Sequence, residues 1–140
     1  FTATPHVFVS RRNPLTTQKT VALADLAEYP YLSYEQGDAE SFYFSEEILS
    51  TLNRKKNIKV SDRATIFNLM VGLDGYTISS GIISSELNDD KIVAIPLEVD
   101  DPIQLGWLKH RQVILSPLGE RYLNLLKEHI QGYGFSVAQE

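Results

Sequence analysis

From His6 to Leu97, short β-branched and aromatic runs alternate with stretches of helical spacing, and proline, glycine or asparagine marks many of the changes. Few folds accommodate that rhythm. It predicts α/β architecture built from βαβ units, with a mostly parallel sheet flanked by helices.

"HVFVS" (His6 to Ser10) reads as the first strand, and "RRNPL" as a turn broken at Asn13-Pro14. A short helix over Leu23 to Ala27 is stopped before Pro30. "YLSY" is a second strand and "EQGD" a loop. A helix opens near Asp38, carries Phe44, Ile48, Leu49 and Leu52, and ends in Arg54-Lys55-Lys56. These cations complement the helix dipole, and this basic group reads as a solvated helix end. "IKVS" is a third strand, with Ser61 capping the next helix. There Ile66, Leu69, Met70 and Leu73 recur at helical spacing, while Ala64, Phe67 and Val71 add apolar surface elsewhere. That pattern predicts a helix buried on most sides. Gly72 and Gly75 bracket its end, where a left-handed residue is usual. "YTIS" is a fourth strand, "IISSEL" a short helix and "KIVAIPL" a fifth strand. After Asp100 to Pro102, "IQLGWLKH" reads as a returning strand. "SPLGERYLNLLKEHI" reads as an amphipathic helix with Ser116 at N-cap and Pro117 at N1.

Composition narrows the function classes. The 140 residues include no cysteine, which excludes disulfides and thiolate chemistry, and suits a cytoplasmic location. A net charge of -5 argues against a nucleic-acid-binding surface in this piece. No apolar run reaches the ~20 residues of a membrane span, so no membrane association is expected. The chain opens with Phe1 inside an apparent strand and carries no visible signal peptide, which reads as part of a longer protein.

Catalytic motifs are not found. Around Ser79 and Ser80 the flanking residues do not form G-x-S-x-G, so a nucleophile elbow is excluded. Metal, calcium and P-loop patterns are missing, and no metal or cofactor is expected. "GLDGY" follows a helix instead of opening one, so it is no dinucleotide fingerprint. Glu46-Glu47, Asp89-Asp90 and Asp100-Asp101 read as solvated pairs. His6, His110 and His129 read as surface or interface residues.

The carboxyl ends of the predicted strands carry the positive signal. Ligands of open parallel sheets bind outside those ends. Here they are polar: Ser33, Glu35, Gln36 and Gly37 after one strand, Ser61, Asp62 and Thr65 after another, and Ser79, Ser80 and Gly81 after a third. Each group leads into a predicted helix start, whose N–H groups favour an anion. A small polar or zwitterionic metabolite is the expected ligand.

The same residues carry a family resemblance. "VFVSRRNPL", "VALADLAEYPYL", "LMVGLDGYTISSGI" and "SPLGERYLNLL" resemble, in order and spacing, segments of the effector-binding domain of LysR-type transcriptional regulators. The resemblance spans Val7 to about Ile130. It implies a periplasmic-binding-protein-like (type 2) effector domain, truncated to the second subdomain (6–100) plus the returning strand and C-terminal helix of the first (101–131), with a flexible tail (132–140). It places the effector on the edge described above. Asp74 and Ser79-Ser80-Gly81 depart from the family's glycine turn and its apolar residue followed by proline, which implies a more polar pocket.

The resemblance further implies a small-molecule effector, carboxylate or amino-acid-like, in a cleft of which half is missing. DNA would be bound only by a missing N-terminal winged helix-turn-helix. The full-length protein would be a homo-oligomer, dimer or tetramer. Asp62 to Ile82 also resembles regulators of sulfur amino acid metabolism. The alternatives are a solute-binding module of a transport system, which a signal peptide in the full gene would favour, and a small α/β enzyme, which would need a nameable nucleophile or acid.

Overall fold

In the computed structural model, residues 1–35, 54–84, 88 and 90–137 are described. The predicted helix that opens near Asp38 therefore lies outside the described residues as far as Asn53, as do Gln36, Gly37, Glu46-Glu47, Asp89 and the end of "IISSEL"; its predicted end, Arg54 to Lys56, is irregular. A five-stranded sheet organises the chain. Its strands are β2 (His6–Ser10), β3 (Tyr31–Tyr34), β4 (Asn57–Val60), β5 (Tyr76–Ser79) and β6 (Ile92–Pro96), in the order β4-β3-β5-β2-β6. β3 is parallel to β4 and to β5. β2 runs antiparallel to both its neighbours, β5 and β6. The sheet is mixed, with β2 as its one reversed strand.

The reversal follows from what lies between β2 and β3. The predicted helix over Leu23 to Ala27 is a 3-10 turn, Leu23–Leu26, and a second 3-10 turn spans Pro14–Thr17. Four residues at 3-10 rise cover roughly 8 Å, too little to carry the chain across a sheet. The connection instead lies on one face, bridging at Val21 to Leu97, and returns to the edge it left.

Each face of the sheet has its own core. On one side Val7, Val9, Tyr31, Tyr76, Ile78 and Ile95 pack under Leu15, Val21 and Leu26 of that connection. On the other, Phe8, Leu32 and Ile92 pack against Ile66 and Met70 of α1 (Arg63–Leu73). Burying each of these large side chains contributes about 1.5–3 kcal/mol. Buried Asn13 pins the turn that closes the first core. Its Oδ1 accepts from Leu15 N at 2.9 Å, and its Nδ2 donates to the Asp74 carbonyl at 3.2 Å.

α1 differs from its sequence reading in three ways. Its N-cap is Asp62, not Ser61, because the Asp62 carboxylate accepts from the Thr65 N–H. Its left-handed terminal residue is Asp74 (φ 51°), not a glycine. Aspartate tolerates that conformation, while Gly75 is needed for close approach: a Cβ there would lie 2.9 Å from Leu32 Cγ and 3.0 Å from the Pro30 carbonyl. Finally, α1 is not buried on most sides. Only Ile66 and Met70 are buried, and Phe67, Val71 and Leu73 are 42–48% exposed. A single sheet face covers a single stripe of a helix.

β1 (Thr2–Ala3) pairs antiparallel with β7 (Ile103–Gln104) in a separate two-stranded ribbon. The predicted returning strand is thus two residues long, and the residues from Leu105 to Leu115 are irregular. Ile82 to Ser84, expected in a short helix, are irregular too. α2 (Pro117–Gly132) has the predicted cap, with Ser116 Oγ accepting from Gly119 N at 3.2 Å, and Pro117 at its first turn. Its apolar stripe of Leu118, Tyr122 and Leu125 is exposed.

Candidate functional site

Strand register assembles one edge of the sheet. Tyr34 and Val60 are paired at the carboxyl ends of β3 and β4. Tyr31 is level with Tyr76, which puts Ser79 level with Tyr34. Because β2 is reversed, its first residue, His6, pairs with Ser79 on one side and Pro96 on the other. Strand alternation turns Tyr34, Val60, Ser79 and His6 toward the face that α1 covers. The N-terminus of α1 reaches this edge through Ser61 and Asp62, directly after Val60.

The residues expected at the site do not all meet there. Ser61, Asp62, Thr65, Ser79, Ser80 and Gly81 do share the edge. Ser33 does not: it faces the opposite side and is buried, its Oγ donating to Asn57 Oδ1 at 3.0 Å toward the amino end of β4. Glu35 is exposed and its N–H donates to the Val60 carbonyl at 2.8 Å, which binds the loop start to β4. Gln36 and Gly37 lie outside the described residues. Among the described residues, no cluster of three histidine, aspartate or glutamate side chains could hold a metal ion. No helix among them is long and apolar enough to cross a membrane.

The helix start carries both charges. Asp62 Oδ2 accepts from Thr65 Oγ1 at 2.6 Å, beside the bond from Thr65 N to Oδ1 at 2.9 Å. The Thr65 hydroxyl and amide, more than any other group, hold the Asp62 carboxyl below the usual carboxylate range. The carboxylate therefore takes up α1's N-terminal field and opposes a bare anion there. Arg63 follows immediately, its guanidinium 5.4 Å from the Tyr34 ring centroid. Arg63 and Ser79 line one shallow hollow of about 50 Å³, floored by Phe8 and Ile66. An adjacent carboxylate and guanidinium, with a hydroxyl opposite, suit a ligand that carries both signs of charge.

Gly81 explains why a glycine ends this stretch. Its φ is +85°, and its Cα packs on the His6 ring. His6 Nδ1 lies 2.7 Å from the Thr4 carbonyl, which can only accept, so that nitrogen donates. Sequence reading missed His6 and Arg63. A histidine that begins a strand falls on the amino edge of a parallel sheet, and only the reversal of β2 moves it to the carboxyl edge. Arg63 gave no signal beyond its place one residue after the cap.

The sequence matches the LysR substrate binding domain over residues 1–131. No curated protein matches it significantly. HinK, a LysR family transcriptional regulator from Pseudomonas aeruginosa, is a similar solved structure: 17% identity and a TM-score of 0.62, over 92% of this chain and 45% of its own. The effector binding domain of QuiR in complex with shikimate is similar at 17% identity and a TM-score of 0.58, over 91% and 61%. The BenM effector binding domain with its effector benzoate is similar at 16% identity and a TM-score of 0.58, over 99% and 64%. The chain thus spans less than two thirds of each of these structures. What they share with it is the fold, the type 2 periplasmic-binding-protein-like α/β arrangement. With the family match extending over almost the whole sequence, this chain belongs to the LysR substrate-binding domain family.

Proposed function

We propose that this chain is the sensing part of a cytoplasmic LysR-type transcriptional regulator, and that it binds an amino-acid-like metabolite at the carboxyl edge of its sheet. Its role is recognition, without turnover. The observation that carries the reading is that Asp62 and Arg63 are consecutive at the start of α1, with Arg63 and Ser79 lining one hollow. An α-ammonium finds Asp62, and a carboxylate finds Arg63 and the hydroxyls of Ser79 and Ser80, through charge-assisted hydrogen bonds. Shikimate and benzoate, bound by QuiR and BenM, are carboxylates and support the class of ligand. Asp62 narrows it, because a carboxylate without an ammonium meets like charge.

A hollow of about 50 Å³ holds only part of such a molecule. We assign the opposite wall to the share of the effector domain by which QuiR and BenM exceed this chain. In this reading residues 6–100 form one subdomain and 101–131 return to the other. Closure upon the ligand shifts the population of domain arrangements, and a homo-oligomer passes that shift to a DNA-binding domain outside the chain. The resemblance of Asp62 to Ile82 to regulators of sulfur amino acid metabolism makes L-cysteine and L-methionine the first ligands to test.

Thermal denaturation of the complete effector domain with L-cysteine, L-methionine, L-serine and, for contrast, acetate is the test. Binding raises the melting temperature by mass action. At least one amino acid should raise it, acetate should not, and Ser79→Ala with Ser80→Ala should reduce the response. A response to acetate alone, or one indifferent to both serines, would contradict the proposal.

A further inference from the structure

A second hollow bears on the sheet at the other edge, where β3, β4 and β5 begin. It measures about 380 Å³, within the range of small-molecule sites. One wall is the 3-10 turn and its exit, with Leu23, Leu26 and Tyr29. Arg54, Lys55 and Lys56 form the other. The two walls are tied together by Lys56, whose Nζ donates to the Glu28 carbonyl at 2.6 Å and lies 3.6 Å from its carboxylate.

Two features distinguish this hollow from an ordinary surface groove. The first is its charge. Among the described residues, three cations and one carboxylate, that of Glu28, line it, in a chain whose net charge is -5. The second is its floor. The Arg54 guanidinium lies 3.9 Å from the Tyr31 ring centroid, and its Nε donates to the Tyr76 hydroxyl at 3.1 Å. Tyr76 is only 3% exposed, and its oxygen accepts that bond. The phenol's own hydrogen has no acceptor among the described residues, and the residue lines the hollow. Arg54 is thus held against Tyr31 and Tyr76 and is not solvated as the basic run predicts; the helix expected before it lies outside the described residues.

We propose that this amino-edge hollow is a second ligand site, which takes a small organic anion with an apolar body. The apolar part lies on Leu23, which is 40% exposed, and on Tyr29. The anionic head takes the Tyr76 hydrogen and the Lys55 ammonium. The site stands apart from the carboxyl edge, at the far end of the same strands, so it does not depend on the reading of that edge.

The probe is 2-naphthoate, titrated into the isotopically labelled full chain while amide resonances are followed, with 2-naphthalenemethanol as its uncharged counterpart. Saturable shifts are expected at Ala27 to Tyr29 and at Lys55 and Lys56, with the Asp62 to Thr65 amides unmoved. Lys55→Glu, at an exposed position, should weaken binding about tenfold, the size of one charge-assisted hydrogen bond. Tyr76→Phe should weaken it as well, and the uncharged counterpart should bind less tightly than naphthoate. The proposal is overturned if those amides do not respond, if the shifts fall on the carboxyl edge, or if neither the charge of the probe nor Lys55→Glu alters the affinity.

Discussion

Gly81 rests on the imidazole of His6: a Cβ at Gly81 would lie 2.5 Å from His6 Nδ1 and 2.8 Å from its Cε1, on a backbone with φ of +85°. Two separate costs attend a side chain there. The backbone conformation alone costs about 1–3 kcal/mol for a residue other than glycine, and the ring must also move. Gly81→Ala should therefore lower the unfolding free energy read from urea denaturation by at least that amount. In a His6→Ala background the same change should cost less, because only the backbone part remains. A double-mutant cycle measures the difference, and a coupling of zero would show that the ring does not seat the glycine.

Asn13 joins the turn after β2 to the left-handed residue after α1. Asn13→Ala leaves the buried Leu15 N–H without its partner and releases the carbonyl of the exposed Asp74. The expected loss is about 1–3 kcal/mol, the cost of the one buried donor left unsatisfied. Asn13→Asp keeps the acceptor for Leu15 but has no hydrogen for Asp74. It should destabilise as well, by an amount that shrinks once its carboxyl is protonated in acid. Equal urea midpoints for Asn13→Asp and the parent would contradict this.

The Asp62 carboxyl supplies a pH signature. Its lowered pKa means that its contribution to stability is present above the unfolded value, about 3.9, and is lost as pH falls through the folded value. Thr65→Val removes the hydroxyl donor and keeps the backbone N–H. Carboxyl-carbon NMR should then find Asp62 titrating closer to the ordinary range. An unchanged titration would mean that the Thr65 hydroxyl is not the dominant cause.

Tyr76 behaves in the opposite direction. Burial raises its phenol above the usual tyrosine value, and the Arg54 guanidinium only partly offsets this. Its contribution to stability is present below about pH 10 and falls as pH rises through the folded value. Tyr76→Phe loses the bond from Arg54, about 1 kcal/mol at neutral pH. The variant should also show a smaller loss of stability between about pH 9 and about pH 11 than the parent. Parallel pH profiles for the two proteins would refute the assignment.

Much of this fold is legible from spacing alone, and the exceptions have local causes. β2, β3, β5 and β6, the helix beginning near Asp62 and the helix capped by Ser116 follow from periodicity and capping residues. The direction of β2 does not, because "VALADLAEYP" has a helical composition but too few residues before Pro30 to build a crossover. The cap moved from Ser61 to Asp62 because both residue types cap, and which one does so depends on where the strand ends. Six of the candidate site residues share one edge. Ser33 leaves it because strand alternation turns each second residue to the other face, and its hydroxyl finds Asn57 there. His6 joins it only through the antiparallel register, a long-range property that no window of sequence contains.

The central claim is that an amino-acid-like ligand sits between the start of α1 and the end of β5. An amide-resolved titration of the complete effector domain with L-cysteine, L-methionine and L-serine tests it most directly. The account predicts that one of them produces saturable shifts at Ala64, Thr65, Ser80 and Gly81, and that Asp62→Asn weakens its binding by removing the partner of the ammonium. Saturable binding that leaves those four amides unmoved, or an affinity untouched by Asp62→Asn, would contradict it.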